Sequence, residues 1–372
     1  LCSVYNLERK SMRKLALSDE ILLKVDKAAR YIGGEVNSVV KDLSKIDIRF
    51  AMCFPDVYEI GMSNLGMMIL YNMFNQREDV WCERLFSPWP DLDKGMREKK
   101  IPLFALESQE PIRDFDFLGI TIGYEMCYTN ILQVLDLSGI PLKSADRGED
   151  FPIVIGGGAC AYNPEPLAPF FDMFYIGEGE TVYDALFDAY KANKKAGGSR
   201  RDFLLAAAKI PGIYVPSLYE VTYKEDGTIA SFAPTADGVP EKVQKQLIID
   251  MEKEYRAVEA PVVPHIKATQ DRVTLEIQRG CIRGCRFCQA GMIYRPTRER
   301  DVETLKESAR IMLKNTGHEE ISLSSLSSSD YSQLKELVNF LIEEFHGKAV
   351  NISLPSLRID AFALDVMSKV QD

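Results

Sequence analysis

From Ile46 onward the chain alternates nearly continuous apolar runs with stretches of helical period. "IDIRFAMCFPD", ending at Asp56, is followed by "FDFLGITIG" (115–123), "FPIVIGGG" (151–158) and "FDMFYIGEGE" (171–180). Each run is apolar on both faces, meets glycine at or just past its end, and is followed by a helical pattern such as "CYTNILQVLDLSG" or "TVYDALFDAYKANKK". Strands that are apolar on both faces predict a parallel sheet covered by helices on each side. Before it, "SDEILLKVDKAARYI" predicts a helix capped by Ser18 or Asp19 and ended by Gly33 and Gly34. After it, "IPGIYVPSLYEVTYKEDGTIASF" predicts a hairpin around Asp226 and Gly227, and a charged stretch then leads into "APVVPHI".

A second alternation starts at residue 273. Strand "VTLEIQ" (273–278), helix 301–317, strand "EISLSSLS" (320–327), helix 332–347 and strand 349–360 read as βαβαβ. The organisation is thus α/β throughout: an N-terminal helical extension over 1–48, a Rossmann-like domain over 49–205, a hairpin connector over 206–268 and a second α/β unit over 269–372. Met12 reads as a plausible start of the chain.

The 372 residues carry 46% apolar side chains and a net charge of −10, so a large core is available and a broad basic footprint for nucleic acid is not. No run reaches the length of a membrane span and the N-terminus lacks an apolar signal region, which predicts a cytoplasmic protein without membrane attachment.

Eight cysteines in a reducing compartment are not expected to pair. Cys53, Cys127 and Cys160 lie in or beside apolar runs and read as buried small hydrophobes. The other pattern is "RGCIRGCRFCQAG" (279–291), where Cys281, Cys285 and Cys288 form C-x-x-x-C-x-x-C directly after a strand. Three soft ligands suit zinc or an iron–sulfur cluster, and three ligands leave one coordination position open. Of the histidines, His265, His318 and His346, none stands at a zinc-finger spacing. Arg283 and Arg286 could offset the charge of a thiolate-bound cluster. Tyr294, Arg295 and Arg298 receive no role beyond surface packing.

This spacing, with Phe287 before the last cysteine, resembles the signature of the radical SAM superfamily. The resemblance implies a partial (βα)-barrel and a [4Fe-4S] cluster on Cys281, Cys285 and Cys288 that binds S-adenosylmethionine at its open iron and cleaves it reductively to a 5′-deoxyadenosyl radical. It also implies an electron donor such as flavodoxin or ferredoxin, a small-molecule or macromolecular substrate, and Phe287 near the adenine. The Gly-Gly-Glu element of many members is replaced by "SLSSLSSSD" (322–330), where Ser324, Ser325 and Ser327 could present hydroxyls; Ser356 and Arg358 fall where the superfamily often contacts the cofactor.

The first alternating domain resembles cobalamin-binding domains that precede some radical SAM cores. Asp56 and Gly61 match a D-x-H-x-x-G loop, with Tyr58 in place of the histidine; Gly156, Gly157 and Gly158 match the later glycine turn, and Gly177 to Glu180 the end of the domain. The implied site for cobalamin, bound without that histidine for methyl transfer or rearrangement, lies between this sheet's C-terminal edge and the barrel mouth; the alternative is a domain that only supports the barrel. Two other functions fit the same architecture: a methylthiotransferase-like RNA modifier, with a second cluster on Cys53, Cys127 and Cys160, and a non-enzymatic cluster or corrinoid redox sensor. Because three barrel strands are legible where the superfamily core has about six, the barrel reads as incomplete and the chain as a fragment.

Overall fold

The computed structural model describes residues 15–255 and 257–358. Met12 and Cys2 lie outside the described residues, as does the end of the strand expected over 349–360. In chain order the first part comprises α1 (Asp19–Leu22), β1 (Ile48–Phe54), α2 (Tyr58–Gly61), α3 (Leu65–Gln76), β2 (Val80–Phe86), α4 (Pro90–Lys99), β3 (Phe117–Thr121), α5 (Tyr128–Leu137), β4 (Ile153–Gly157), β5 (Met173–Tyr175), α6 (Tyr183–Lys195), α7 (Arg200–Ala207) and β6 (Ile213–Tyr214). Its six strands lie in the order β2-β1-β3-β4-β5-β6, parallel except for β6 at the edge.

The pleat sends alternate side chains to two cores. Phe50 and Phe117 join Phe74, Phe187 and Phe203 of α3, α6 and α7 on one face, with Phe50 meeting Phe74 edge to face at 4.9 Å. Ala51, Leu118 and Ile120 join Leu92, Met96, Ile131 and Val134 of α4 and α5 on the other. Burial of each large side chain stabilises by about 1.5–3 kcal/mol, so a sheet covered on both faces is the favoured state of these runs.

Some expectations fail locally: no α-helix follows β4, where 3₁₀ turns at Ala159–Tyr162 and Glu165–Phe170 lead to β5, and the strand expected over 349–360 is confined to Asn351–Ser353 among the described residues. The helix predicted over 18–32 shortens to α1 and a single 3₁₀ turn at Ala28–Arg30, and the Ser18 side chain makes no capping bond. Strand β2 was not legible as an apolar run because it carries Glu83 and Arg84, which are fully buried by pairing: Arg84 contacts Glu35 at 2.7 Å and Glu107 at 2.6 Å, and Glu83 contacts Arg49 at 2.7 Å.

The hairpin forms as β7 (Tyr219–Tyr223) and β8 (Ile229–Pro234). Barrel strand β9 (Val273–Glu276) continues into β10 (Gln278–Arg279); the cysteine loop, α8 (Ala290–Ile293) and β11 (Arg298–Glu299) follow, then α9 (Val302–Thr316), β12 (Glu320–Ser324), α10 (Leu334–Phe345) and β13 (Asn351–Ser353). Asp301 caps α9 through Glu303 N at 2.9 Å, and Gly317 ends it. Strands β13-β12-β9 form a parallel sheet. Val273, Leu275, Ile321 and Leu323 pack under α9 and α10, so the intervening Thr274, Glu276, Ser322 and Ser324 face the opposite side. The result is a three-strand parallel unit with an apolar helix-facing side and a polar inner side.

Candidate functional site

The C-terminal edges of the two sheets border one cavity of about 420 Å³. Gly119–Thr121, Gly157, Gly158 and Gly177–Glu180 line it from the first domain, and Glu276, Gln278–Gly280, Tyr294 and Ser324–Leu326 from the barrel. In an open parallel sheet, ligands bind beyond the carboxyl ends of the strands where strand order reverses, here between β1 and β3. The cavity therefore lies where the topology collects the glycine turns of one domain and the polar strand ends of the other. Its volume falls in the usual range for a small-molecule site.

Gly157 faces open space: a Cβ placed there would have Tyr175 O as its nearest neighbour, at 4.0 Å. Gly158 has φ +106°, and a Cβ there would lie 2.9 Å from Ile122 O, so this turn needs glycine for its own backbone. Gly156 is different. Its Cβ would meet Ile122, Phe174 and Phe171 within 3.0 Å, so it is a packing glycine outside the cavity lining.

The "GEGE" segment couples the two units. Gly177 bridges to Gln246 of the connector, and the carboxylates of Glu178 and Glu180 cross to the barrel. Arg279, the residue before Gly280 and the cysteine loop, contacts Glu180 at 2.6 Å, Glu276 at 2.9 Å and Glu178 at 3.3 Å. Arg298 reaches Glu178 at 2.8 Å. Burial disfavours the Arg279 cation, but Glu276 and Glu180 more than offset this and raise it above its ordinary value. Burial likewise opposes the Glu178 carboxylate, and its bonds from Arg298 and the charge of Arg279 hold it below the ordinary range. Arg298 and Tyr294, expected to be surface residues, are instead a buried partner of Glu178 and part of the cavity wall. An arginine beside a cysteine loop is ambiguous in sequence, because Glu178 and Glu180, the partners that tie it to the first domain, lie about a hundred positions away.

Gly280 admits the chain into the loop at φ +80°, where a Cβ would lie 2.4 Å from Pro296 O. Residues 281–288 then run without helix or strand, and Cys281, Cys285 and Cys288 are partly exposed free thiols. Among the described residues no group of three His, Cys, Asp or Glu side chains is positioned to hold one metal ion. The donor chemistry nonetheless fits an iron–sulfur cluster: three reachable thiols within eight residues. Cys53 and Cys127, by contrast, are buried as expected, and burial pushes both thiols up, away from the thiolate that iron requires. Cys160 is half-buried.

The loop is tied to the end of the second barrel strand. Arg283 forms a two-pronged ion pair with Asp330, which holds that carboxyl at about 2, and Asp330 accepts from Ser327 Oγ at 2.8 Å. Ser324 and Ser325 line the cavity, and Ser325 Oγ lies 2.9 Å from Ser328 Oγ. Ser356 is exposed, and its carbonyl accepts from Ser328 N at 3.3 Å. Arg358 donates its backbone N–H to Ser329 Oγ and brings its guanidinium to 4.0 Å from Cys285 Sγ. Phe287 is 93% exposed and packs against neither the cavity nor the core.

Asp56, Tyr58 and Gly61 do not line the cavity. Tyr58 is 1% exposed; its hydroxyl donates to Glu35 Oε1 at 2.9 Å and accepts from His265 N at 3.3 Å. Asp56 accepts from Val57 N at 2.7 Å and from the Tyr124 hydroxyl. Gly61 is the close contact between α2 and β2, where a Cβ would overlap Phe86. This loop turns inward because Tyr58 completes the buried Glu35–Arg84 network. The residues presented to the cavity instead are Asn64, Leu65 and Gly66, at the start of α3.

Residues 66–216 match the family model for radical SAM proteins, N-terminal, and residues 275–372 match that for the radical SAM superfamily. An uncharacterised protein of Methanocaldococcus jannaschii is 28% identical over 318 residues, covering 85% of this chain and 57% of the relative. Two solved structures of the radical S-adenosylmethionine methyltransferase TsrM from Kitasatospora setae are also similar, one with a tryptophan substrate and a SAM analogue and one with cobalamin and a [4Fe-4S] cluster. They are 12% and 13% identical with TM-scores of 0.49 and 0.46, each covering 87% of this chain and 57% of the solved one. The chain thus spans somewhat over half the length of the proteins it matches. Among the described residues no helix is long and apolar enough to cross a membrane.

Proposed function

The chain belongs to the radical SAM superfamily, and from that premise we propose that its cysteine loop and the interdomain cavity form the reaction centre of an S-adenosylmethionine-cleaving enzyme. Cys281, Cys285 and Cys288 hold the [4Fe-4S] cluster; when bound, it supplies the electron that breaks the sulfonium, after delivery by a donor such as flavodoxin or ferredoxin. The protein's own side chains do the positioning. The Arg283–Asp330 pair fixes the loop, Arg279 sets its distance from the first domain, and Arg358 offsets thiolate charge at Cys285. Ser324 offers a hydroxyl to a ligand on the barrel side, next to Ser325, whose hydroxyl is engaged with Ser328. Buried, mutually paired carboxylates and guanidiniums keep this wall polar while admitting little water.

The second ligand of the cavity, in this reading, is a corrinoid. Gly157 is the feature that supports it, since a Cβ would fill a space the glycine leaves open for close approach. None of the described histidines lines the cavity, so cobalt would be held without a histidine from this chain. A corrinoid facing the adenosyl group is the arrangement expected for methyl transfer or rearrangement.

The observation that carries the proposal is the cavity itself, bounded by the C-terminal ends of both parallel sheets and entered beside the cysteine loop. Anaerobic reconstitution with iron, sulfide and hydroxocobalamin, followed by metal analysis, tests it. The expected result is about four irons per chain, falling below about one in Cys285→Ser, together with one equivalent of cobalt. Full iron in Cys285→Ser removes the cluster assignment. Iron without cobalt leaves a radical SAM enzyme whose first domain only supports the barrel.

A further inference from the structure

Gln278 stands where the inner face of the barrel meets the cavity, and one of its polar atoms is left over. It is 2% exposed, and it continues the polar register of Thr274 and Glu276, opposite the apolar side that packs under α9 and α10. Its amide nitrogen donates to Ser327 O at 3.0 Å. That bond fixes the orientation of the carboxamide, because the flipped amide would set oxygen against oxygen. Gln278 Oε1 is then a buried acceptor without a partner among the described residues, in a side chain that lines the cavity. Buried acceptors are ordinarily satisfied, since leaving one unpaired forgoes its hydration for nothing in return. Glu276 and Glu180 are occupied by Arg279, and the Ser325 hydroxyl is engaged with Ser328.

We propose that Gln278 is a recognition residue for the occupant of this cavity, accepting a hydrogen bond from an N–H donor of an amine or amide group. The inference rests on the reading of the cavity as the ligand site. It selects for nitrogen-bearing donors over carboxylate or phosphate groups, which would set a second acceptor against Oε1. Two occupants carry such donors: S-adenosylmethionine through its amines, and a corrinoid through its side-chain amides.

The test compares the cluster-loaded wild-type chain with Gln278→Met and Gln278→Glu, titrated with S-adenosylmethionine by calorimetry and with hydroxocobalamin by visible absorbance. Met keeps the volume and removes the acceptor. Glu, protonated in this buried setting, keeps a donor to Ser327 O and an acceptor toward the cavity. The expected result is that Gln278→Met weakens one probe by roughly threefold to tenfold, the worth of one hydrogen bond, while Gln278→Glu stays close to wild type. The probe affected identifies the source of the donor. Unchanged affinity for both probes in Gln278→Met, with unaltered thermal unfolding, overturns the inference alone. Binding of neither probe by the wild-type chain overturns the reading of the cavity, and the inference with it.

Discussion

The ion-pair cluster around Arg279 connects the two halves of the protein and can be weakened at one atom group. Replacing Arg279 by Met removes a guanidinium that serves Glu276, Glu180 and Glu178, leaving Arg298 as the remaining ion-pair partner of Glu178 among the described residues. The side chains of Glu178, Glu180 and Glu276 are 9%, 5% and 15% exposed, so water replaces little of what is lost. Breaking a buried pair on one side costs about 3–5 kcal/mol, mostly from the charge left without a partner. Glu180→Gln is milder, because Arg279 keeps two carboxylates and the amide still accepts a bond. The double variant Arg279→Met/Glu180→Gln should recover about 0.5–3 kcal/mol relative to the sum of the single changes, the range of coupling seen for residues in direct contact. Anaerobic urea unfolding of the four chains, followed by near-ultraviolet dichroism, measures the cycle. Limited proteolysis of the connector over 240–268 reports whether the domains separate first. An Arg279→Met cost below about 1 kcal/mol, with additivity within about 0.5 kcal/mol, would refute the view that this pairing holds the cysteine loop against the first domain.

Three further outcomes follow from the same geometry. Gly158→Ala should destabilise by about 1–3 kcal/mol in thermal unfolding, because its backbone is in a glycine region and the added carbon meets Ile122 O, whereas Gly157→Ala should fold normally and weaken hydroxocobalamin binding. Burial disfavours the Glu35 carboxylate, but Arg84 outweighs this and holds it below its ordinary value, so its contribution is present above about pH 4.5 and is lost as the pH falls below that. Glu35→Gln should therefore lower stability at pH 7 by about 1–3 kcal/mol and flatten the acid limb of the stability curve measured between pH 6 and 3. Asp330→Asn should leave unfolding nearly unchanged, since its pair with Arg283 is partly exposed, yet speed the loss of iron to a chelator by freeing the cysteine loop.

What the sequence made legible follows the range of the interactions involved. Strands β1, β3, β4 and β5, the helices after β1, β3 and β5 and the βαβαβ order of the barrel are written in local periodicity and form, whereas β4 leads to β5 through 3₁₀ turns and the last barrel strand is shorter than its apolar pattern. The spacing of Cys281, Cys285 and Cys288 is local in the same way, since a loop proposed to hold a cluster must carry its donors within a few residues. Strand β2 was not legible, because its burial depends on Glu35, Arg49 and Glu107, each remote in sequence. The predicted helix at 18–32 has the right composition, but the chain there is held by tertiary partners such as the Arg30–Glu59 pair rather than by its own turns. Tyr58 could be placed in a loop by pattern, but the direction of its side chain is decided by Glu35 and Arg84.

The displacement of Tyr58 bears on how the first domain would bind anything at all. A residue that reaches a ligand from the turn after β1 must point beyond the strand ends, and here Tyr58 points into the core, where its hydroxyl is already saturated by Glu35 and His265. Rotating it outward would leave the buried Glu35 carboxylate one bond short. The first sheet therefore meets the cavity with Gly157 and Gly158 and with Met52, Thr121 and Ile155, joined by Asn64 at the start of α3, while the charged side chains come from the barrel and from Glu178 and Glu180. A ligand on the first domain is thus gripped by shape and close approach rather than by a coordinating side chain. Its affinity then depends on the barrel being docked, which is the geometry that Arg279 maintains.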